Sequence, residues 1–156
     1  MPLTLQNETS FEAKIDFLLE AGHKLLRVES RERCLVDVLL VDDETIQEMN
    51  LEYRGRDSPT DVLSFAQSEV IEGEEPPLRN AEYPEHLGDV VISVETAARQ
   101  AFTHAVTLEQ ELALLTVHGI LHLLGYEDET FEGTAEMRQC EKEILDFSYP
   151  LQALPE

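Results

Sequence analysis

One segment of the chain is apolar on nearly every side and long enough to form a helix of several turns. Residues 107–125, TLEQELALLTVHGILHLLG, begin with Thr107 and Gln110 at the spacing of a capping box and end at Gly125, a residue type that commonly terminates helices. The leucine, isoleucine and valine side chains are spread around the whole helix, so other elements must cover every face. We therefore predict a long helix in the interior of the fold.

The interior helix carries two histidines, His118 and His122, four residues apart. At 3.6 residues per turn they lie on one face, which is the spacing by which helical zinc enzymes bring two imidazoles to one ion. Gly125 can turn the chain after the helix, so that Asp128 reaches the same ion. The offsets of 4 and 10 from the first histidine, with a glycine at 7, match the metzincin spacing. The pattern predicts a metal site; two hydrogen-bonded core histidines without an ion are the alternative.

The stretch differs from the metzincin pattern at two positions. Gly119 stands where metzincins carry their general-base glutamate, which argues against a peptidase of that type. Asp128 stands in place of the third histidine, and a carboxylate binds zinc at about 2.0–2.2 Å. Three protein ligands leave a fourth position for water, as in catalytic zinc sites. In the alternative arrangement Asp128 points into solvent between Glu127 and Glu129, and water or His86 takes the third position.

Helical and strand-like patterns alternate along the rest of the chain. Apolar residues at helical spacing predict a helix over 11–26 with Ser10 as its N-cap. Further helices are predicted over 43–54, 93–104 and 131–146, and strands over 34–43, 60–66 and 88–93. Residues 67–86, rich in acids and prolines, predict a long surface loop. We expect His86 and His104 at the surface.

The chain is strongly acidic. Its 33 Asp and Glu side chains against 11 Lys and Arg give a formal net charge of −22. Such a surface repels phosphate backbones over a Debye length of roughly 10 Å at moderate salt. The charge therefore counts against nucleic-acid binding, except where a local basic patch survives.

Nothing in the sequence predicts export or a membrane. No apolar run reaches the roughly 20 residues of a spanning helix, and the N-terminal segment lacks the basic and apolar regions of a signal peptide. Cys34 and Cys140 form no CxxC pair, so we expect reduced, inert thiols. These features predict a soluble protein of the cytoplasm.

Three blocks of sequence carry a family resemblance. HGILHLLGYEDE is similar to a motif H-G-x-L-H-L-x-G-Y-D-H, except that Glu127 and Asp128 replace its final Asp and His. NLEYRGRDSPTDVLSF is similar to N-x-x-Y-R-x-x-D-x-P-T-x-V-L-S-F, and LGDVVIS to the strand that follows a variable loop. Together the blocks, in order and spacing over residues 35–147, resemble the YbeY family of bacterial metal-dependent endoribonucleases.

The resemblance implies a single α+β domain over residues 1–156, with a small mixed β-sheet, surrounding helices and a zincin-like metal helix. It implies one divalent ion, usually Zn²⁺, held in a cleft by His118, His122 and Asp128. The expected activity is cleavage of single-stranded RNA in the maturation of the 3′ end of small-subunit ribosomal RNA and in ribosome quality control. Ribosomal RNA and proteins of the small subunit would be its partners, with neither a membrane nor DNA.

Arg54 matches the position at which the family carries an arginine tied to activity. Cleavage of a phosphodiester needs charge neutralisation in the transition state, and an arginine fork pairs bidentately with phosphate. Arg56 adds a second cation to the same segment. The alternative for either arginine is a helix C-terminal cation or a surface ion pair with Asp57. Ser64 has no histidine nearby in sequence, so we do not expect it to act as a nucleophile.

Three other functions stay open at this point. The spacing of the histidines and the acidic charge also suit a metallohydrolase with a substrate other than RNA. Replacement of the third histidine by Asp128 suits a ribosome assembly factor with weakened catalysis. A family member that has lost its metal would be a purely structural domain.

Overall fold

A mixed four-stranded sheet organises the protein. The computed structural model describes residues 3–11, 14–67 and 85–145. The elements are β1 (Leu3–Asn7), α1 (Asp16–Val28), β2 (Leu35–Val41), α2 (Asp43–Arg54), β3 (Val62–Ala66), β4 (His86–Ser93), α3 (Val94–His104), α4 (Leu108–Leu123) and α5 (Phe131–Ile144). The strand order is β1-β2-β4-β3; β1, β2 and β4 are parallel, and β3 runs antiparallel to β4. The predicted α+β class with a small mixed sheet is confirmed.

Each face of the sheet is covered by helices. The main core lies on the face that receives α4, where Val36, Val38 and Val90 pack with buried residues of α1, α4 and α5. A smaller cluster on the opposite face packs Ile46 of α2 against Val91 and other strand residues. Alternate residues of β2 therefore serve the two faces, as the two-residue period of a strand requires.

The central helix matches its prediction closely. The Thr107 side chain accepts from the backbone N–H of Gln110, and the Gln110 side chain accepts from that of Thr107, which completes the capping box. Gly125 follows the helix with a φ of 102°, a left-handed conformation that favours glycine. In the described part of the chain, no helix is long and apolar enough to cross a membrane.

The N-terminal region differs from its prediction in two ways. Residues Leu3–Asn7 form an edge strand that the sequence analysis missed, because only Leu3 is buried and the segment is too short to show a clear alternation. Helix α1 begins at Asp16, so the prediction of Ser10 as its N-cap is wrong. The Asn7 side chain organises the intervening turn instead: it accepts from Thr9 and donates to the carbonyl of Phe11.

Strand β4 begins two residues earlier than predicted because it contains a bulge. Leu35 of β2 pairs with His86, whereas the next residue, Val36, pairs with Gly88. The extra residue, Leu87, is buried in the main core, and His86 consequently faces the opposite side of the sheet. Of the predicted loop 67–86, residues 68–84 lie outside the described residues.

The prediction of a surface position for His104 is wrong. This side chain is 7% exposed, and its Nδ1 lies 2.9 Å from Oε1 of Glu111, which is fully buried on α4. A buried carboxylate is stable only when it is paired and hydrogen-bonded, so Glu111 in the first turn of α4 holds the side chain of His104, at the end of α3, inside the fold.

Helix α4 lies in close contact with the sheet at Gly119. A Cβ at this position would lie 2.5 Å from Cγ1 and 3.1 Å from Cγ2 of Val90, and 3.2 Å from Oγ of Ser64. The Ser64 hydroxyl donates to the carbonyl oxygen of Gly119 at 2.9 Å. Absence of a side chain therefore lets the helix backbone rest directly on β3 and β4.

Gly119→Ala should lower the free energy of unfolding by up to about 2 kcal/mol, because overpacking costs about 1–3 kcal/mol and the gain in helix propensity returns about 1 kcal/mol. Both Cγ atoms of Val90 crowd the new methyl group, so every staggered rotamer of Val90 keeps a methyl group in at least one of the two crowded positions. Urea unfolding followed by circular dichroism gives the change. In a Val90→Ala background, Gly119→Ala should no longer lower the free energy of unfolding. An equal decrease in that free energy in both backgrounds would refute the packing argument.

Candidate metal centre and cleft

The two histidines of α4 face each other at their Nε2 atoms. His118 Nε2 and His122 Nε2 are 3.2 Å apart, and the two rings are nearly perpendicular, with an interplanar angle of 82°. Both side chains are 29% exposed and lie near the C-terminal end of α4. The i, i+4 spacing thus produces the convergent pair that the sequence predicts.

Asp128 completes a group of three side-chain atoms that could bind one metal ion. Its Oδ2 lies 3.8 Å from Nε2 of His118 and 3.6 Å from Nε2 of His122. The chain reaches this position because Gly125 turns it back after the helix. The alternative in which Asp128 merely points into solvent does not describe this geometry, although the carboxylate is 48% exposed.

The three atoms fit a small divalent cation. Ligands bound at about 2.0–2.2 Å in a tetrahedron lie roughly 3.3–3.5 Å from one another, close to the distances of 3.2, 3.6 and 3.8 Å found here. Two neutral imidazoles that present lone pairs to each other at 3.2 Å repel unless a positive charge lies between them. The donor set of two imidazoles and one carboxylate suits zinc, with manganese as a harder alternative.

In both histidine rings a hydrogen bond at Nδ1 leaves Nε2 as the nitrogen that faces the other two candidate ligands. His118 Nδ1 lies 2.7 Å from Oε1 of Glu141, and His122 Nδ1 lies 3.1 Å from the carbonyl oxygen of Tyr126. A carboxylate and a carbonyl only accept, so both Nδ1 atoms carry the proton and both Nε2 lone pairs are available. Such outer partners orient metal-binding histidines in known metal sites.

Glu141 also affects the acid–base behaviour of the site. Burial of the His118 imidazole acts to lower its pKa, but the hydrogen bond and charge of Glu141, together with the charges of Asp61 and Asp128, outweigh burial, and the pKa of His118 is raised. A cation must displace the proton from this imidazole, so binding of metal weakens as the pH falls through the raised pKa of His118.

Tyr126 contributes through its backbone rather than its phenol. The phenolic O–H donates to Oε1 of Glu29 at 2.9 Å, and this carboxylate raises the pKa of Tyr126. The ring therefore stays neutral and ties the segment after α4 to the end of α1. Its carbonyl oxygen is thereby held in place to accept from His122.

Arg54 lies at the end of α2 and projects over β3. Its Nη2 donates to the carbonyl oxygen of Ser64 at 2.7 Å, and its guanidinium carbon lies 5.1 Å from the ring centre of Phe65. A guanidinium has five N–H donors, so one bond to the strand leaves others for a phosphate. Ser64 thus contacts Arg54 through its carbonyl and α4 through its hydroxyl, which is a structural role and not that of a nucleophile.

Arg54 and His122 line the same cleft, with a volume of about 430 Å³. Ser64, Glu127 and Glu129 are among the other lining residues. Arg56, the second cation of the same segment, is exposed and is not among the residues that line this cleft.

His86 does not belong to the metal centre. Its Nε2 lies 3.0 Å from Oδ2 of Asp37 and 3.8 Å from Oδ1 of Asp89, on the sheet face opposite to α4. The bulge at Leu87 sets this direction. His86 therefore forms a separate group with Asp37 and Asp89 and is no substitute for Asp128.

The absence of a general base at position 119 has a steric cause. A side chain there would collide with Val90, so the glutamate of a metzincin has no room. Sequence reasoning did not find Glu141, although it stands at helical spacing among the buried residues of α5, Met137 and Ile144. A carboxylate on the apolar face of a predicted helix indicates a buried cationic or imidazole partner for that carboxylate. This was the signal in the sequence that could have identified Glu141.

Comparison with known proteins settles the family. A family model described as Endoribonuclease YbeY matches residues 4–148. The chain belongs to the YbeY family. Members of this family are endoribonucleases, hydrolases that act on RNA, and maturation of ribosomal RNA is the family's known role. The predicted family and the predicted class of enzyme are confirmed.

Individual relatives cover most of the chain. It is 47% identical to Endoribonuclease YbeY of Bacillus licheniformis over 128 residues, 79% of this chain and 80% of that one. It is 40% identical to Endoribonuclease YbeY of Halalkalibacterium halodurans over 140 residues, 88% of each. The solution structure of a protein from Thermotoga maritima superposes with a TM-score of 0.58 at 26% identity, covering 91% of this chain and 88% of the other.

Metal content of the purified protein is the first test of the candidate metal centre. Protein purified without chelator should carry about one zinc or other transition-metal ion per chain, because three ligand atoms converge at one place. His118→Ala and His122→Ala should each remove most of it, and Glu141→Gln should weaken zinc affinity by about 10–100-fold through loss of ring orientation. Elemental analysis and competition with a zinc indicator give both quantities.

His86→Ala and His23→Ala are the matched controls for this experiment, because each removes an imidazole elsewhere in the fold. Both should retain the metal. Unchanged metal content in His118→Ala, with circular dichroism showing an intact fold, would contradict the assignment.

Proposed function

We propose that this protein is a metal-dependent, single-strand-specific endoribonuclease that matures the 3′ end of small-subunit ribosomal RNA and acts in ribosome quality control. The observation that carries the proposal is the cleft shared by His122 and Arg54. It suits a phosphate held between a cation on one side and a guanidinium on the other. Membership of the YbeY family supports the same conclusion.

One divalent ion, Zn²⁺, is proposed to bind to Nε2 of His118, Nε2 of His122 and a carboxylate oxygen of Asp128. When bound, such an ion supplies Lewis-acid polarisation and activation of water. The chain itself keeps both imidazoles in the tautomer that presents Nε2, through Glu141 and the carbonyl of Tyr126. The exposed side of Asp128 leaves room for water and substrate.

Arg54 is proposed to bind the phosphate whose ester bond breaks. Its position is fixed by the carbonyl of Ser64 and by the ring of Phe65, so little side-chain entropy is lost when the phosphate arrives. Negative charge on the phosphate oxygens grows toward the transition state, and a fixed guanidinium stabilises that charge more strongly than the ground state.

Proteins of the small ribosomal subunit are proposed as partners, in the cytoplasm, with neither a membrane nor DNA involved. A chain with a net charge of −22 gains little from long-range attraction to RNA. Docking on a ribosomal protein would bring the cleft to the RNA at a high effective concentration. A metallohydrolase with a non-RNA substrate is the second candidate, favoured by Glu127 and Glu129 in the cleft.

Arg54→Ala should keep the fold and the metal but lower kcat/KM for cleavage of a single-stranded ribosomal RNA fragment by about 10²–10³-fold, the usual effect of removing one oxyanion-stabilising donor. Arg54→Lys should restore only part of the activity, because a lysine retains the charge without the fork. Gel analysis of cleavage products and elemental analysis of the same samples separate the two effects.

Arg56→Ala is the control, because this exposed arginine lies two residues further on and does not line the cleft. It should retain activity. If the metal-loaded wild type leaves RNA intact while hydrolysing a generic ester or peptide, the endoribonuclease proposal fails and the second candidate takes its place.

Asp128→His should bind zinc more tightly than the wild type and shift preference away from manganese, because an imidazole is a softer ligand than a carboxylate. Asp128→Ala should lose zinc nearly as severely as the histidine variants. Glu129→His adds an imidazole one residue further along and should change neither property. Zinc affinity that is the same in Asp128→Ala and the wild type would show that Asp128 is not a ligand.

A further inference from the structure

A groove runs along α5 beside the metal centre. It has a volume of about 580 Å³ and is bounded at one end by Asp128 and Glu129. Along α5 it is lined by Phe131, Thr134, Ala135, Arg138, Gln139 and Lys142, a stripe at helical spacing. From Phe131 to Lys142 the stripe is about 16 Å long, at a rise of 1.5 Å per residue.

The groove adjoins the cleft that Arg54 lines, because Glu129 lines both. Asp128 lines the groove, and its Oδ2 lies 3.6 Å from Nε2 of His122, which lines the cleft. Thr134, in the floor of the groove, donates through its hydroxyl to the carbonyl oxygen of Asp128 at 3.0 Å. A chain molecule lying in the groove would therefore pass directly by the metal centre.

The opposite face of α5 is buried and contacts the candidate metal centre through Glu141. Met137, Glu141 and Ile144 are buried, and Glu141 holds His118. One face of the helix thus fixes a ligand histidine while the other face lines the groove. This arrangement holds the groove at a constant distance and angle from the site of cleavage.

Phe131 stands at the end of the groove nearest to Asp128 and is 89% exposed. An aromatic ring in this position, at the first residue of a helix, costs hydrophobic free energy in solution and contributes no core packing. Single-stranded nucleic acids bind by stacking their bases on such rings, and this stacking accepts any sequence. A flat exposed ring next to the cleavage site matches an unpaired base.

Binding of a nucleic acid also requires positively charged side chains, and two of these lie further along the stripe. Of the 11 Lys and Arg in the chain, Arg138 and Lys142 both line this groove. With Asp128 and Glu129 the charged lining residues sum to 2 − 2 = 0, against −22 for the whole chain. The lining of the groove is therefore less acidic than the chain as a whole, which lowers the repulsion that a phosphate backbone meets there.

We propose that the groove along α5 binds the single-stranded RNA that flanks the cleavage position, with a base stacked on Phe131 and phosphates beside Arg138 and Lys142. This inference rests on the proposed cleavage of RNA at the adjacent site. It explains how an acidic enzyme holds its substrate, and it assigns to Phe131 the preference for unpaired over paired RNA, because a base inside a duplex cannot stack on the ring.

The test uses an oligoribonucleotide with one 2-aminopurine, whose fluorescence changes on stacking. The full-length, metal-loaded protein is titrated with it, and the cleavage kinetics of an unlabelled single strand are measured in parallel. Phe131→Ala should weaken binding and raise KM by about ten-fold, within the usual effect of removing one base–aromatic stack, and should abolish the fluorescence change. The value of kcat should stay close to that of the wild type. Phe131→Trp should restore both binding and fluorescence.

Lys142→Ala should weaken binding at low salt and reduce the slope of log affinity against log salt by about 0.7, the value for one phosphate contact in a single strand. Phe102→Ala and Lys14→Ala are the matched controls. Phe102 is also 89% exposed, on α3, and Lys14 is an exposed cation outside the groove. Both controls should behave as the wild type in binding, KM and salt dependence.

The outcomes separate this inference from the proposed function. If the wild type cleaves RNA and Phe131→Ala has the same affinity and KM as Phe102→Ala, the inference is overturned and the function stands. If the wild type binds the strand through Phe131 but cleaves no RNA, the groove stands and the function fails. A wild type that neither binds nor cleaves single-stranded RNA refutes both.

Discussion

The close packing of α4 on the sheet at Gly119 is the contact on which the functional site depends. Because no side chain separates the helix from Val90 and Ser64, the helix backbone lies against β3 and β4 and accepts a hydrogen bond from the Ser64 hydroxyl. The same serine receives Arg54 on its carbonyl oxygen. One residue of β3 therefore sets the distance between the arginine and the histidine helix, and a larger residue at position 119 would displace the two groups relative to each other.

The metal centre is assembled from three separate parts of the chain. The histidines come from α4, Asp128 from the turn that follows, and the carboxylate that orients His118 from α5. Each ring has its Nδ1 occupied, so each presents Nε2 to the centre without a choice of tautomer. The proposed ligand atoms thus already lie close together, so little reorganisation would be needed for a cation to bind there.

The parts of the structure that depend on local sequence could be predicted, and those that depend on distant partners could not. The capping box of α4, the shared face of His118 and His122 and the turn at Gly125 follow from spacing alone. The first strand owes its existence to pairing with β2 rather than to its own pattern. His104 and Glu141 were missed because their partners, 7 and 23 residues away, lie on other helices. Burial of a charged side chain is decided by tertiary structure, which propensities do not contain.

The hydrogen bond that His118 donates to Glu141 couples α5 to the proposed binding of a metal ion. Any state in which α5 detaches from α4 and α1 also releases His118 from its orienting carboxylate, so we expect such a state to bind the ion less tightly. By linkage, the ion must then stabilise the docked helix by the same free energy. Removal of the metal by a chelator should therefore speed hydrogen exchange along α5, away from the proposed ligand atoms. The backbone amides of α5 would then report on the occupancy of a site formed mainly by α4.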